Sequence, residues 1–268
     1  MAFNKNELIL DRVRSLTACS LIDKKMLFRL TSIEDPSVSC TAEGEEVTDA
    51  VGSLITTLYR AKKATISGTN SLISLDLASA QYGSEKEVAD TTNKITDYTY
   101  EILEVASGKT TVKLAHKPVN ANDIKWIYSI ADNEIGTAYS AAPVTGGSGS
   151  ATATTFVISD EGEITVPTGF TGQLFVEYTY ETENAVRVSN KASKFPDACS
   201  VILYCYFRDK CSEKLISGKI ICPKAKLDPS QIELALTSTG KHPFTFNIQK
   251  DYCADEGLDE LFSIIVSE

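Results

Sequence analysis

Alternation of apolar and polar residues near the C-terminus constrains the fold of this chain more than any other feature. Two runs, 231–236 and 244–249, place every second side chain on one apolar face. The apolar positions are Ile232, Leu234 and Leu236 in the first run, and Phe244, Phe246 and Ile248 in the second. A period of two residues is typical of half-buried antiparallel strands. The segment KAKLDPSQ, with Pro229 inside it and Pro223 just before it, is predicted to be a turn between two strands.

The run CSVILYCYF, residues 199–207, is apolar on both faces of a predicted strand. One face carries Cys199, Val201, Leu203, Cys205 and Phe207, and the other carries Ile202, Tyr204 and Tyr206. A strand of this kind is covered on both sides. The chain has seven cysteines and no C-x-x-C pair, so buried free thiols are predicted, with metal binding or a disulfide as alternatives. This cysteine usage predicts folding in a reducing cytosol.

The first part of the chain predicts a hairpin followed by a helix. In the hairpin, residues 47–69, Leu54 and Leu58 share one face of the first arm, and the second arm passes through Ala64 and Ile66. The helix is predicted over SLISLDLASAQYG. Its signals are a cap at Thr69 or Asn70, an apolar stripe of Ile73, Leu77 and Ala80, and Gly83 at the C′ position.

Residues 98–182 differ in character from the segments on either side. They show no helical pattern, and turn signals such as SGK, VTGGSGS and PTGFTG recur among short strand-like runs. This pattern predicts a β-sandwich module with the composition of an immunoglobulin-like unit but without the Cys–Trp–Cys signature. Trp126 is predicted to pack in its core. The domain boundaries follow: a central module at 98–184, and a discontinuous domain made of 1–97 and 185–268.

Charge and motifs argue against catalysis and against nucleic-acid binding. The net charge is -10, from 36 acidic and 26 basic residues, whereas phosphate binding needs clustered Lys and Arg. The sequence SGKT at 107–110 is not a P-loop, because Leu103 stands where glycine is required and a strand pattern follows. His116 and His242 each stand alone and are predicted to lie at the surface or in turns. We therefore predict no catalytic, metal or cofactor site and no enzymatic activity.

The N-terminus and the hydropathy pattern predict where the chain is made. MAFNKNELILDRVR is charged and lacks the apolar core of a signal peptide, and no run approaches the roughly 18 apolar residues of a membrane span. Synthesis in the cytoplasm without membrane insertion is expected.

Three features together resemble the tail tube (major tail) proteins of tailed bacteriophages. They are the hairpin-then-helix block from Glu45 to Gly83, the closing block from Gly218 to Gln249, and the acidic character without an active site. The resemblance implies a mainly β fold: an antiparallel β-sandwich or barrel of tail-tube type with one flanking helix, here with an additional central immunoglobulin-like β module.

The resemblance also implies function and partners. The chain would self-assemble into stacked, hexameric rings that form a tail tube, built in the host cytoplasm and located in the virion tail. DNA would pass through without specific binding, and no cofactor would be needed. Other partners would be tail proteins such as the sheath, tape measure, baseplate or terminator. Five residues of the hairpin are the expected inter-subunit contacts: Val47, Leu54, Leu58, Tyr59 and Ile66.

Two other functions remain open from the residues alone. One is a capsid decoration or another virion structural protein, which would share the β content without needing a ring-forming hairpin. The other is a carbohydrate-binding or adhesion module in the central segment, where Tyr128, Tyr139, Phe156 and Phe170 would line a sugar site.

Overall fold

The computed structural model describes residues 7–142, 150–210, 212–230, 232, 240–251 and 260–267. Within them the chain is mainly β, as predicted, with one α-helix. In chain order the elements are β1 (Leu8–Ser20), β2 (Met26–Leu30), β3 (Ile33–Thr48), β4 (Leu54–Asn70), α1 (Leu75–Tyr82), β5 (Lys86–Val88), β6 (Ile95–Val105), β7 (Thr111–Lys113), β8 (Trp126–Ala131), β9 (Glu134–Ala141), β10 (Thr155–Ile158), β11 (Glu163–Thr165), β12 (Gly172–Thr182), β13 (Val186–Val188), β14 (Ala198–Asp209), β15 (Leu215–Leu227), β16 (His242–Ile248) and β17 (Ser263–Ser267).

The chain divides into two compact units. The first combines Met1–Lys86 with Val188–Glu268, and the second is Glu87–Arg187. Each unit has its own sheet and its own apolar core, and β5 and β13 form a separate two-stranded sheet.

The sheet of the first unit has the strand order β2-β1-β14-β15-β16-β4-β3, and β17 pairs with β15. The predicted alternation of β16 is confirmed, because Phe244, Phe246 and Ile248 are buried in the core. Of the earlier predicted run, Ile232 lies outside any strand, and Leu234 and Leu236 lie outside the described residues. The core side chains come from six strands and the helix, so the sheet wraps around them.

Strand β14 confirms one face of the cysteine-containing run as buried, whereas the other face is only partly buried and not fully covered as predicted. Cys199, Val201, Leu203 and Cys205 are all buried in the core. The cysteines that the structure describes are free thiols, and Cys222 on β15 is also buried. Burial raises the pKa of the Cys199 thiol to about 12, so this group stays protonated and unreactive at neutral pH.

Pro223 is not part of a turn, contrary to the prediction. Strand β15 continues through it to Leu227, and the chain turns only after that strand. The pairs Cys199↔Ala225 and Val201↔Cys222 leave two β15 residues opposite one residue of β14. This is a β-bulge, and a bulge accepts a proline because one N–H there has no ladder partner.

Helix α1 begins later than predicted and ends where predicted. Its N-cap is Ser74, whose side chain accepts the N–H of Leu77 at 3.2 Å. Thr69 and Asn70 are the last residues of β4, paired with both β16 and β3, so they cannot cap the helix. Gly83 adopts the left-handed conformation at φ 61°, as its predicted C′ position requires.

The second unit contains a sheet of order β6-β12-β8-β9-β10-β11-β7. Its core includes Ile127, Phe156, Leu174 and Val176. The prediction that Trp126 packs in this core is wrong: its side chain is 52% exposed, while Ile127 beside it is fully buried. Neighbouring strand residues point to opposite faces, so only one of the two can face the core.

Candidate assembly surface

Strands β3 and β4 form a long hairpin whose outer part leaves the sheet. Strand β16 pairs with β4 only from Ala64 to Asn70. Towards the turn, residues 41–48 of β3 and 54–63 of β4 pair only with each other. We call this two-stranded segment the ribbon. Nearly all of its side chains are exposed.

The hairpin predicted within residues 47–69 is wrong, and β3 and β4 form a different hairpin. Ala64 and Ile66 continue the same strand as Leu54 and Leu58, and the other arm is β3. Ile66 is fully buried in the core of the first unit, so its side chain cannot contact another subunit, and we remove it from the expected contacts.

The other four expected contact residues lie on the ribbon with exposed side chains. Val47, Leu54, Leu58 and Tyr59 are 36%, 58%, 42% and 74% exposed. The cross-strand pairs Val47↔Thr56 and Glu45↔Leu58 place Val47 and Leu58 on one face, while Leu54 pairs with Thr48 beyond a register shift. Tyr59 lies on the opposite face.

Two further apolar side chains of this hairpin were not included in the prediction. Ile55 lies at the register shift between Val47 and Thr48 and is 64% exposed, and Val51 in the turn is 89% exposed. The alternation of residues 54–59 could have identified Ile55. Apolar groups on both faces cannot be covered by one side of a single core, so the ribbon leaves apolar side chains exposed to solvent.

The turn of the hairpin is fixed by Asp49. Its carboxylate accepts the N–H of Val51 at 2.9 Å and the N–H of Ser53 at 2.8 Å, and its own N–H donates to the Ser53 carbonyl. These hydrogen bonds lower the pKa of the Asp49 carboxyl, which therefore remains ionised at neutral pH. Gly52 supplies the positive φ that the turn requires. The turn sets the register of the ribbon.

Two cross-strand ion pairs and a ring contact hold the strands of the ribbon together. Lys63 Nζ donates to Glu43 Oε1 at 2.6 Å, which lowers the pKa of Glu43 and raises that of Lys63. Arg60 Nη2 lies 3.7 Å from Glu45 Oε2. The Tyr59 ring covers Gly44, where a Cβ would come within 3.2 Å of the ring. Because the ion pairs are exposed, they favour one register more than they add stability.

A β-bulge separates the ribbon from the buried part of β4. The pairs Thr41↔Lys63 and Glu43↔Arg60 leave Ala61 and Lys62 opposite Ala42 alone. Ala61 has φ 50°, a left-handed conformation that a side chain with a Cβ disfavours. The exposed ribbon and the core strand therefore meet at a strained residue.

His242 occupies a structural position that the sequence did not reveal. It was predicted at the surface or in a turn, but its side chain is fully buried. Nδ1 accepts the N–H of Ser74, and Nε2 lies 2.7 Å from Gln81 Oε1, so the imidazole joins β16 to both ends of α1. His116, by contrast, is exposed and stacks on the Tyr180 ring at 4.2 Å, consistent with its predicted surface position.

The residues proposed for a sugar site are not brought together on an exposed face. Phe156 is fully buried, and Tyr139 and Phe170 meet edge to face at 5.5 Å, packed against the core of the second unit. This part of the adhesion alternative is therefore wrong, because three of its four aromatic rings serve the core.

Two other kinds of functional feature were looked for among the described residues, a metal site and a membrane-spanning helix. Among them, no group of three or more His, Cys, Asp or Glu side chains is placed to hold a metal ion. Within the same residues, no helix has the length and apolar character needed to cross a membrane. The ribbon presents exposed apolar side chains and two ion pairs.

A search of curated proteins finds no match to this chain. A family model described as the YomU/Tube protein family matches residues 8–260. The match begins at the first residue of β1 and covers nearly the whole chain, including both units. The fold and this match define a tube-related structural protein. The chain belongs to the YomU/Tube protein family.

Proposed function

We propose that this chain is a virion structural protein that assembles into stacked rings and forms the tail tube of a bacteriophage. The observation that carries the proposal is the ribbon, which exposes apolar side chains on both faces in a member of a tube family. Burial between subunits removes that apolar area from water and stabilises the assembly by about 25 cal/mol per Å².

We propose repeated association rather than a closed pair. A ribbon that contacts a different surface of the next copy makes a heterologous interface, and such interfaces close into rings or continue as stacks. The rings are hexameric by resemblance to tail tube proteins. The free edges of the sheet in the first unit, such as β17, offer backbone groups for pairing between neighbours within a ring.

The ribbon is ordered before it meets a partner. The Asp49 turn and the Lys63–Glu43 and Arg60–Glu45 pairs fix its register within one subunit. Association then costs less conformational entropy than it would for a flexible loop, which favours assembly.

DNA passes through the lumen of the tube without specific binding. The net charge of -10 supports this part of the proposal, because like charges on many subunits would repel the phosphates. The protein is assembled in the host cytoplasm and resides in the virion tail. Its further partners are the proteins at the ends and the outside of the tube: the tape measure, the baseplate or terminator, and a sheath if the tail is contractile.

The proposal is tested by placing charge at two exposed apolar positions of the ribbon. The double variant Leu54→Asp/Leu58→Asp should fold as the wild type does but fail to assemble, because an unpaired carboxylate is costly in an apolar contact. Circular dichroism reports the fold, and sedimentation velocity reports the assembly.

The matched control is Leu72→Asp/Ile73→Asp, which adds the same charge at two exposed positions that precede α1. It should assemble as the wild type does. If the ribbon variant also assembles normally, the ribbon is not the contact. If it unfolds, the ribbon belongs to the core of its own subunit.

A further inference from the structure

The outer face of the sheet in the second unit is aromatic and open to solvent. Tyr98, Tyr100 and Ile102 occupy alternate positions of β6 and are 76%, 63% and 46% exposed. Ile102 pairs with Phe175 of β12, which pairs in turn with Tyr128 of β8. Directly opposite residues share a face, so these side chains form one surface across three strands. We call this surface the aromatic face. Its members are Tyr98, Tyr100, Ile102, Trp126, Tyr128 and Phe175.

The packing of the unit does not require this surface. Its core lies on the other side of the same strands, where Leu174, Val176 and Ile127 are fully buried. The aromatic face is nevertheless organised, since the Tyr100 and Phe175 rings stack with centroids 5.4 Å apart and an interplanar angle of 25°. Exposed aromatic groups of this size are characteristic of interaction sites.

The charged side chains that these strands place beside the aromatic face are acidic. Glu177 pairs with Tyr100, and Glu104 lies two residues from Ile102 on the same side of β6. Both carboxylates are exposed, and neither forms an ion pair with a residue that the structure describes. Strands β6, β8, β9 and β12 contain no Lys or Arg. The face therefore has ring faces and anions but no cations of its own.

We propose that the aromatic face binds a segment of another polypeptide that presents Lys or Arg side chains. A cation above a Tyr or Trp ring is attracted by the ring quadrupole, and the neighbouring carboxylates give it an ion-pair partner. Tyr and Trp lose little rotamer entropy on binding, which suits them to this role. The charge complementarity selects a basic partner over an acidic one.

Trp126 provides a direct reporter, because it is the only tryptophan of the chain and belongs to the aromatic face. The full-length protein is titrated with acetyl-tetraarginine-amide, and Trp126 emission is recorded. We expect a saturable change in emission that weakens as salt rises from 50 to 500 mM, because a higher ionic strength shortens the Debye length and screens the attraction. Acetyl-tetraglycine-amide and maltoheptaose should leave the emission unchanged.

Substitutions then test the face itself. Glu104→Gln/Glu177→Gln should weaken tetraarginine binding about tenfold, since the two ion pairs that it removes together contribute on the order of 1.4 kcal/mol. The control Glu43→Gln/Glu45→Gln removes the same charge from the ribbon and should leave the affinity within about twofold. Tyr100→Ala should also weaken binding, with circular dichroism confirming the fold.

Three outcomes would overturn the proposal. The first is no saturable change with tetraarginine. The second is an equal loss of affinity in the ribbon control, which would indicate general charge attraction. The third is binding of maltoheptaose without salt dependence, which would indicate a saccharide site. Because the readout is local to Trp126 and does not require assembly, the result is independent of whether the chain forms tubes.

Discussion

The Phe28 ring stacks on the Phe246 ring, with centroids 6.3 Å apart, although their strands lie four places apart in the sheet. Strand β2 is at one end of the strand order and β16 is the fifth member. A flat sheet with strands about 4.8 Å apart would separate them by roughly 19 Å. The contact therefore shows that this part of the sheet is strongly curled around its core.

Phe28→Ala should destabilise the first unit by about 3–5 kcal/mol, because it removes a ring that is 2% exposed and leaves a cavity against Phe246. Denaturant unfolding monitored by circular dichroism measures the loss. Met26→Ala, on the same strand but 55% exposed, is the control and should change stability by no more than about 0.5 kcal/mol. Similar losses of stability for both variants would contradict the conclusion that Phe28 packs in the core against Phe246.

Ala61→Gly should make the ribbon more stable, because glycine adopts the left-handed conformation without the cost of about 1 kcal/mol that alanine incurs. Amide hydrogen exchange in the ribbon should slow by about fivefold, the factor that corresponds to this free energy. Ala42→Gly, opposite the bulge at ordinary strand φ, should instead accelerate exchange. Faster exchange in the Ala61→Gly variant would show that the strain at Ala61 is not relieved there.

Buried His242 should make the stability of the first unit depend on pH. Burial lowers its pKa below the ordinary value of 6.5, so between the two values the unfolded chain binds more protons than the folded one. Stability is thus fully present above about pH 6.5 and falls as the pH decreases through the folded-state pKa, by at most about 1.4 kcal/mol per pH unit.

Denaturant titrations at pH 5.5, 6.5 and 7.5 measure this dependence. His242→Gln should be less stable at every pH, because the contacts with Ser74 and Gln81 change, and should lose the slope that His242 contributes. His116→Gln, at an exposed site, should retain that slope. An unchanged slope in the His242 variant would refute this assignment.

The protein should not bind duplex DNA at physiological salt, either as a subunit or as an assembly. Nonspecific binders reach dissociation constants of about 10⁻⁴–10⁻⁶ M through Lys and Arg contacts with phosphates, whereas this chain carries a net charge of -10. Fluorescence anisotropy of a labelled duplex makes the measurement. Micromolar, salt-sensitive binding would contradict the conduit proposal and favour a nucleic-acid-binding function.

The sequence predicted those parts of the fold where one face alone is apolar. Phe244, Phe246 and Ile248 could be assigned to a core because polar residues separate them. Trp126 could not, because Trp126, Tyr128 and Ile130 form the more apolar phase of the run WIYSI, whereas Ile127 on the phase shared with Ser129 faces the core. The β3 arm was missed because EGEEVT has no apolar alternation, and its pairing with β4 depends on the turn at Asp49.

The candidate surface was predictable only in part for a related reason. Alternation identified Leu54, Leu58 and Tyr59, but it could not distinguish them from Ile66, which the same strand carries into the core beyond the bulge at Ala61. Likewise, the position of His242 depends on Gln81, which lies 161 residues away in the sequence. Local patterns carry no information about contacts of that range.

Assembly into a tube is tested by negative-stain microscopy of the purified full-length chain, together with sedimentation velocity at high protein concentration. We expect rings or stacked rings with a central lumen, and fast-sedimenting species that disappear in the Leu54→Asp/Leu58→Asp variant. A monodisperse monomer at every concentration, with no rings on the grid, would contradict it.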